Sequence, residues 1–304
     1  MRVVWLVASV AACTTSPTVI VSNTTAFSIA LDENFIYWTS YNGLYRAPKD
    51  GDDATPTQLA PFGADNVSPV VGVALDTSSI YWAEPGTCAT GANDGAIMTM
   101  SIGGGMPTAL VTQQPCPASL VIDENTVYWG DSSTISSVGK AGGAVAAIAS
   151  NVQRPVATAL NTTFIFWTDV DGTVRSVNKA GGTESTLAAN LGTGRGIAVG
   201  SDSLYFAGFN GATGSVAEVP IMGGSLVTLS TDDSAPSWVA VDSNDVYWTD
   251  TYHVFRTGFS SDVTDTIAND EYGVSAIAVD DAYIYWSDTP STNAVSVGIK
   301  RIAK

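Results

Sequence analysis

The chain has 304 residues and a formal net charge of −17, with 12 basic against 29 acidic side chains. Nucleic-acid binding needs a basic footprint, so this balance argues against it, and an anionic membrane surface would repel the chain. Hydrophobic residues make up 45% and charged residues only 13%, enough apolar material for a large core.

The chain opens with one basic residue, an apolar run and small residues, Met1 to Cys13, as a short secretion signal would. Val10–Cys13 (VAAC) is similar to a bacterial lipobox, in which the thiol accepts diacylglycerol. That resemblance implies lipidation at Cys13, residues 1–16 as signal and tether, and a lipid-anchored or secreted protein of the bacterial cell envelope. A plain signal peptide, or a buried strand from a mis-assigned start, is the other reading. The run is too short to span a bilayer.

From residue 17 the chain repeats one unit. It appears as IALDENFIYWTS from Ile29, VALDTSSIYWAE from Val73, LVIDENTVYWGD from Leu120, TALNTTFIFWTD from Thr158, IAVGSDSLYFAG from Ile197, VAVDSNDVYWTD from Val239 and IAVDDAYIYWSD from Ile277. Alternating apolar and small residues before the Asp predict a strand with two different faces. The Asp and the polar residues after it predict a hairpin turn, and the aromatic run predicts a second strand of mixed burial. A third strand follows, as at Gly43–Pro48, Gly95–Met100, Gly172–Val177 and Gly298–Ala303. Then come Gly-rich turns such as Lys140–Gly143 and Lys179–Gly182, and a weaker fourth strand such as Ser185–Ala188 or Ser225–Leu229. The aromatic anchors Trp38, Trp82, Trp129, Trp167, Phe206, Trp248 and Trp286 recur about every 40 residues, a period typical of propellers. No segment sustains a 3.6-residue apolar period, which excludes helical repeats. The fold class is therefore all-β: a seven-bladed propeller of four-stranded antiparallel blades over residues 17–304, read as one domain. Pro17–Ser22 resembles a fourth strand, and the last unit lacks one. The N-terminal strand should complete the last blade and close the ring, removing two open sheet edges.

The unit resembles the YWTD repeat of the low-density-lipoprotein-receptor class and, less closely, the NHL type. Asp169, Asp250 and Asp288 stand at that family's terminal Asp, and Arg46, Arg175, Arg256 and Arg301 at its third-strand Arg. The family usually has six blades, and here the Asp becomes Ser40, Glu84 or Gly208 in other copies. Ion pairing between blades therefore cannot be uniform.

Cys88 lies between the second and third strands of blade two, and Cys116 between that blade and the next. In an antiparallel blade these loops emerge on the same face. A disulfide is expected, with two free thiols as the alternative. Asp169–Gly172 (DVDG) carries a trace of a calcium loop without the remaining ligands of an EF-hand, and reads as an ordinary turn. No cofactor or metal is expected from side chains. A Ca²⁺ ion held by backbone carbonyls in the channel would leave no trace in a sequence. Gly103–Gly105 lacks the context of a phosphate loop and reads as a turn with positive φ.

A site is sought where the repeat breaks. Just before the first strand most units carry small residues, Ser28, Gly72, Ser119, Ala157, Gly196 and Ala276, but blade six has Trp238. One position earlier, blade five has Arg195 where the others have Phe27, Val71, Ala118, Val156, Ser237 and Ser275. First strands line the axis, so Trp238 and Arg195 should share one channel mouth, on the face that also receives Arg154, His253 and Tyr272. Trp beside Arg suits a sugar, peptide or anionic ligand; equally, Trp238 could plug the axis. His253, the only histidine, has Asp250 nearby and no identifiable nucleophile. The sequence therefore favours a monomeric, non-catalytic scaffold binding a protein, peptide or carbohydrate ligand on its loop face, with membrane contact only through the lipid anchor. The alternative is a metal-assisted hydrolase or lyase at the channel mouth.

Overall fold

The computed structural model describes residues 16–63, 72–259, 261, 263–289 and 297–304. The expected signal and its lipidation position Cys13 lie outside the described residues, as does Val71 of the pre-strand column.

Among the described residues, twenty-eight strands form seven separate four-stranded antiparallel sheets, each a blade of one ring. Blades one to six take their strands in sequence order, innermost first. Blade one, for example, runs Ser28–Leu31, Phe35–Ser40, Gly43–Pro48, Thr57–Pro61. Blade seven has Ala276–Val279, Tyr283–Ser287 and Gly298–Ala303, and its outer strand is Thr18–Ser22 from the N-terminus. That strand pairs antiparallel with the last one, Thr18 opposite Arg301 and Ser22 opposite Gly298. The ring is closed by joining head to tail, as the strand count required.

The core sits at the seven seams between blades, one hydrophobic cluster to each. The aromatic strand explains why. Successive side chains of a strand face opposite ways, so Ile36 and Trp38 pack into the seam with blade seven and Tyr37 into the seam with blade two. The expectation of mixed burial is corrected here: the second strand is buried on both faces, and all six Trp residues on these strands are fully buried. A blade in a ring has neighbours on both sides, which periodicity within one strand cannot reveal.

The Asp after the first strand does three jobs in blades two, three, six and seven. In blade three, one oxygen of Asp123 accepts the backbone N–H groups of Asn125 and Thr126 at 3.0 and 2.9 Å, which shapes the hairpin turn. The other accepts the Tyr128 hydroxyl at 3.0 Å and pairs with Lys179 of the next blade at 2.7 Å. The same seam staple recurs as Asp76–Lys140 and Asp280–Lys49, each at 2.7 Å, and as Asp242–Lys304. Burial opposes ionisation of Asp76, but Lys140 and the turn N–H groups outweigh it and hold the carboxyl well below its ordinary range. Inter-blade pairing is thus uneven, as expected, but its cations are these lysines. Of the third-strand arginines, Arg175 and Arg256 bind acids of their own blades. Arg46 and Arg301 bond carbonyls of the adjacent blade.

The ring's closure carries a buried ionic knot. Lys300, on the last strand, contacts Glu271 at 2.6 Å and Asp288 at 2.9 Å, all three nearly sealed from solvent. Burial disfavours the ammonium, yet the two carboxylates outweigh it and raise its pKa.

Candidate functional site

In an antiparallel blade the loops after the second strand and the links into the next blade share one face. The Cys88–Cys116 disulfide joins two such segments, with its Cα atoms 4.8 Å apart, as the loop geometry anticipated. Both cysteines have positive φ, so each sits in a tight turn of its segment.

The first strands enter the sheets on that face through β-bulges, which re-aim side chains at a rim. In blade six both Ser237 N–H and Trp238 C=O bond Thr249, two residues against one. In blade five the register slips between Gly194 and Ile197, leaving Arg195 and Gly196 opposite Ala207, and blade four slips in the same way at Val156. These strands start earlier than the repeat implied, at Pro155 and Thr193, because the bulge extends the pairing. The small residue in this column also has a steric cause. A Cβ on Gly196 would lie 2.8 Å from Ser237 O and Trp238 Cα of the adjoining inner strand.

The bulge positions of blades one, four, five, six and seven surround a cavity of about 280 Å³ at the axis. Trp238, Arg195 and Phe27 are its large side chains, and Val156, Val274, Ser237 and Ser275 complete much of the wall. The Arg195 backbone is tied to the neighbouring blade, its carbonyl accepting the hydroxyl of Thr168 on the second strand of blade four at 2.6 Å. Its Nε is sealed from solvent without an acceptor among the described residues. Tyr41, 72% exposed, stands edge-on to Phe27 with ring centroids 4.6 Å apart, extending the aromatic surface outward.

Of the five side chains expected at the mouth, Trp238 and Arg195 line this cavity together; Arg154, His253 and Tyr272 are not among its lining residues. Arg154 is exposed on the link into blade four. His253 immediately precedes the third strand of blade six, Val254–Gly258, with Nδ1 3.0 Å from Asp250 Oδ1. Tyr252, beside it, meets Tyr272 edge-on at 5.8 Å, so His253 and Tyr272 belong to a second aromatic patch at the blade six–seven seam. Phe27 was overlooked as a candidate, although it is the one other large side chain in the column that revealed Arg195. Nothing in the repeat singles out Tyr41.

The opposite face has larger grooves along the seams, one of about 590 Å³ between blades seven and one. Lys49 there pairs with Asp280, which also accepts the Tyr285 hydroxyl at 2.9 Å, and Arg301 bonds the Lys49 carbonyl. The groove reads as a structural seam. In the Asp169 turn the carboxylate is fully buried, with Oδ2 on Arg175 at 2.9 Å and Oδ1 without a partner among the described residues. Burial pushes that carboxyl up to about 6 against the opposing pull of Arg175. No group of three or more His, Cys, Asp or Glu side chains gathers as a metal cage among the described residues.

No family model matches the chain, and no curated protein matches it. Solved structures do. A chain from a nidogen/laminin complex is 19% identical, with 78% of this chain and 95% of that chain covered and a TM-score of 0.58. The WD40 β-propeller domain of Doa1 is 12% identical, covering 95% and 97%, with a TM-score of 0.70. U3-55K is 11% identical, covering 95% and 100%, with a TM-score of 0.75. At these identities the likeness shows the fold alone.

Proposed function

We propose that this protein is a non-catalytic, monomeric scaffold of the bacterial cell envelope, lipid-anchored through Cys13 or secreted. It holds a protein, peptide or carbohydrate ligand on the face where the channel mouth opens. The observation that carries this reading is the cavity itself. Trp238, Arg195 and Phe27 stand at columns that elsewhere hold mostly small residues, and they converge on one opening. A fully packed axis would serve stability; an aromatic and cationic opening serves recognition. The disulfide fits an oxidising compartment. One structural neighbour comes from a protein–protein complex, nidogen with laminin, which shows a propeller in a binding role elsewhere.

The test is binding to peptide and glycan arrays by the wild-type chain and by Trp238→Ala. Hits lost in the variant, at an unchanged melting temperature, support the reading. Hits retained in full, or a large loss of stability, would mean that Trp238 is a structural plug. Fatty-acid labelling of the wild-type chain but not of Cys13→Ala tests the anchor; absence of label on both would remove it.

A further inference from the structure

Resting on the proposal that the channel mouth binds a ligand, we infer that its anchor is the free carboxylate of a peptide, carried by an apolar C-terminal residue. Three observations on the cavity wall lead there.

The first is charge. The chain carries a net −17, yet among the described residues Arg195 is the only charged side chain lining the cavity. Its guanidinium has no ion pair among the described residues, whereas the lysines of the seams are matched to carboxylates. Its Nε is buried with no acceptor among the described residues. A guanidinium that lines the cavity without a partner carboxylate favours an anionic ligand, and its fork matches a carboxylate in shape as well as charge.

The second is the kind of surface beside that cation. Phe27, Trp238, Val156 and Val274 are apolar walls. The two hydroxyls present are already committed as donors, Ser237 to Ala235 O at 3.1 Å and Ser275 to Ala26 O at 2.7 Å. A sugar acid would bring a ring of hydroxyls to a wall with little to offer them. An apolar side chain with one carboxylate asks for far fewer polar partners.

The third is size. A cavity of about 280 Å³ falls at the foot of the range for small-molecule pockets, room for one residue and not for a chain. The rest of a peptide would leave past Tyr41 on the exposed rim.

The experiment titrates N-acetyl-phenylalanine, N-acetyl-phenylalaninamide and glucuronic acid into the full chain carrying Trp5→Phe, read by tryptophan fluorescence. Trp38, Trp82, Trp129, Trp167, Trp248 and Trp286 are fully buried, so Trp238 reports the mouth. The acid should bind with a dissociation constant on the order of millimolar, and the amide at least about tenfold more weakly. Arg195→Gln should reduce the acid to the level of the amide. Arg195→Lys, which keeps charge without the fork, should fall between, with unchanged melting curves for both. Equal binding of acid and amide, an indifferent Arg195→Gln, or stronger binding of glucuronic acid would overturn the inference. If array hits still depend on Trp238 in that event, the mouth binds by other chemistry and the scaffold reading stands. If they do not, that reading fails separately.

Discussion

Deleting residues 17–22 should unseat the last blade. Ile20 and Val21 are fully buried between blades seven and one. Removing two such side chains forfeits roughly 3–6 kcal/mol of burial. The strand also pairs at four positions with Gly298–Ala303, and its carbonyls at Val19 and Ile20 accept the N–H groups of Asp53 and Ala54. At about 0.5–1.5 kcal/mol per net hydrogen bond, those contacts add several kcal/mol more. The sum approaches the roughly 5–15 kcal/mol that holds a whole domain. Urea unfolding followed by tryptophan fluorescence should therefore show the truncated chain unfolded or nearly so without denaturant. A graded version keeps the chain intact: Ile20→Ala should cost about 2–5 kcal/mol, and Thr18→Ala, at an exposed position of the same strand, about 0.5 kcal/mol or less. A truncated chain that unfolds at the wild-type midpoint would refute the reasoning, since closure would then contribute nothing.

Asp169 holds its proton more tightly in the folded ring than in the unfolded chain, so its ionisation destabilises the fold as pH rises from about 4 through 6. Asp169→Asn should abolish that decline and stabilise the protein at pH 7.5 by about 1–3 kcal/mol; an unchanged pH profile would show the carboxyl to be solvated. The seam acids behave oppositely: Asp76, Asp123, Asp242 and Asp280 have lowered pKa values, so what they contribute is intact above about pH 4 and lost as pH falls below it. Thermal melts across pH should thus peak between about 4 and 6. Reduction of Cys88–Cys116 releases a loop of 28 residues and should cost about 3–4 kcal/mol in a denaturant melt; an unchanged midpoint would show that the link constrains nothing the fold needs. Lys300→Met leaves Glu271 and Asp288 buried together and should cost about 3–5 kcal/mol, whereas adding Glu271→Gln and Asp288→Asn should recover much of it; purely additive costs would mean the three do not act as a unit.

What was legible in the sequence follows from the range of each interaction. The Tyr-Trp pair announces the blade because both faces of one strand are buried within each repeat. Ring closure follows from counting strands, and the disulfide from knowing which loops share a face. The Lys–Asp staples were not legible. They join the turn of one blade to the third-strand end of the next, and only the ring's rotation brings Lys179 to Asp123. The knot at Lys300 was hidden for the same reason: Glu271 lies in a link with no repeat of its own, and Asp288 reads as one more motif Asp.

The site shows the same limit at closer range. Trp238 and Arg195 stood out because they interrupt a column of the repeat, and a column of first strands is a ring around the axis. His253, Tyr272 and Arg154 share the face, but sharing a face fixes height along the axis and leaves the radius open. A loop between the second and third strands starts more than one strand spacing of about 4.8 Å farther out than the first strand, which sets His253 apart from the cavity wall. Tyr272 and Arg154, on the links, likewise stop short of the bulge positions that point inward. The bulge is thus the device that separates the two duties of this chain. Outward of it, each residue is committed to a seam on either side and the repeat is enforced. At the bulge the column is tight where Gly196 meets the adjoining inner strand, whereas Trp238, Arg195 and Phe27 face the axial cavity, so large side chains find room at those positions.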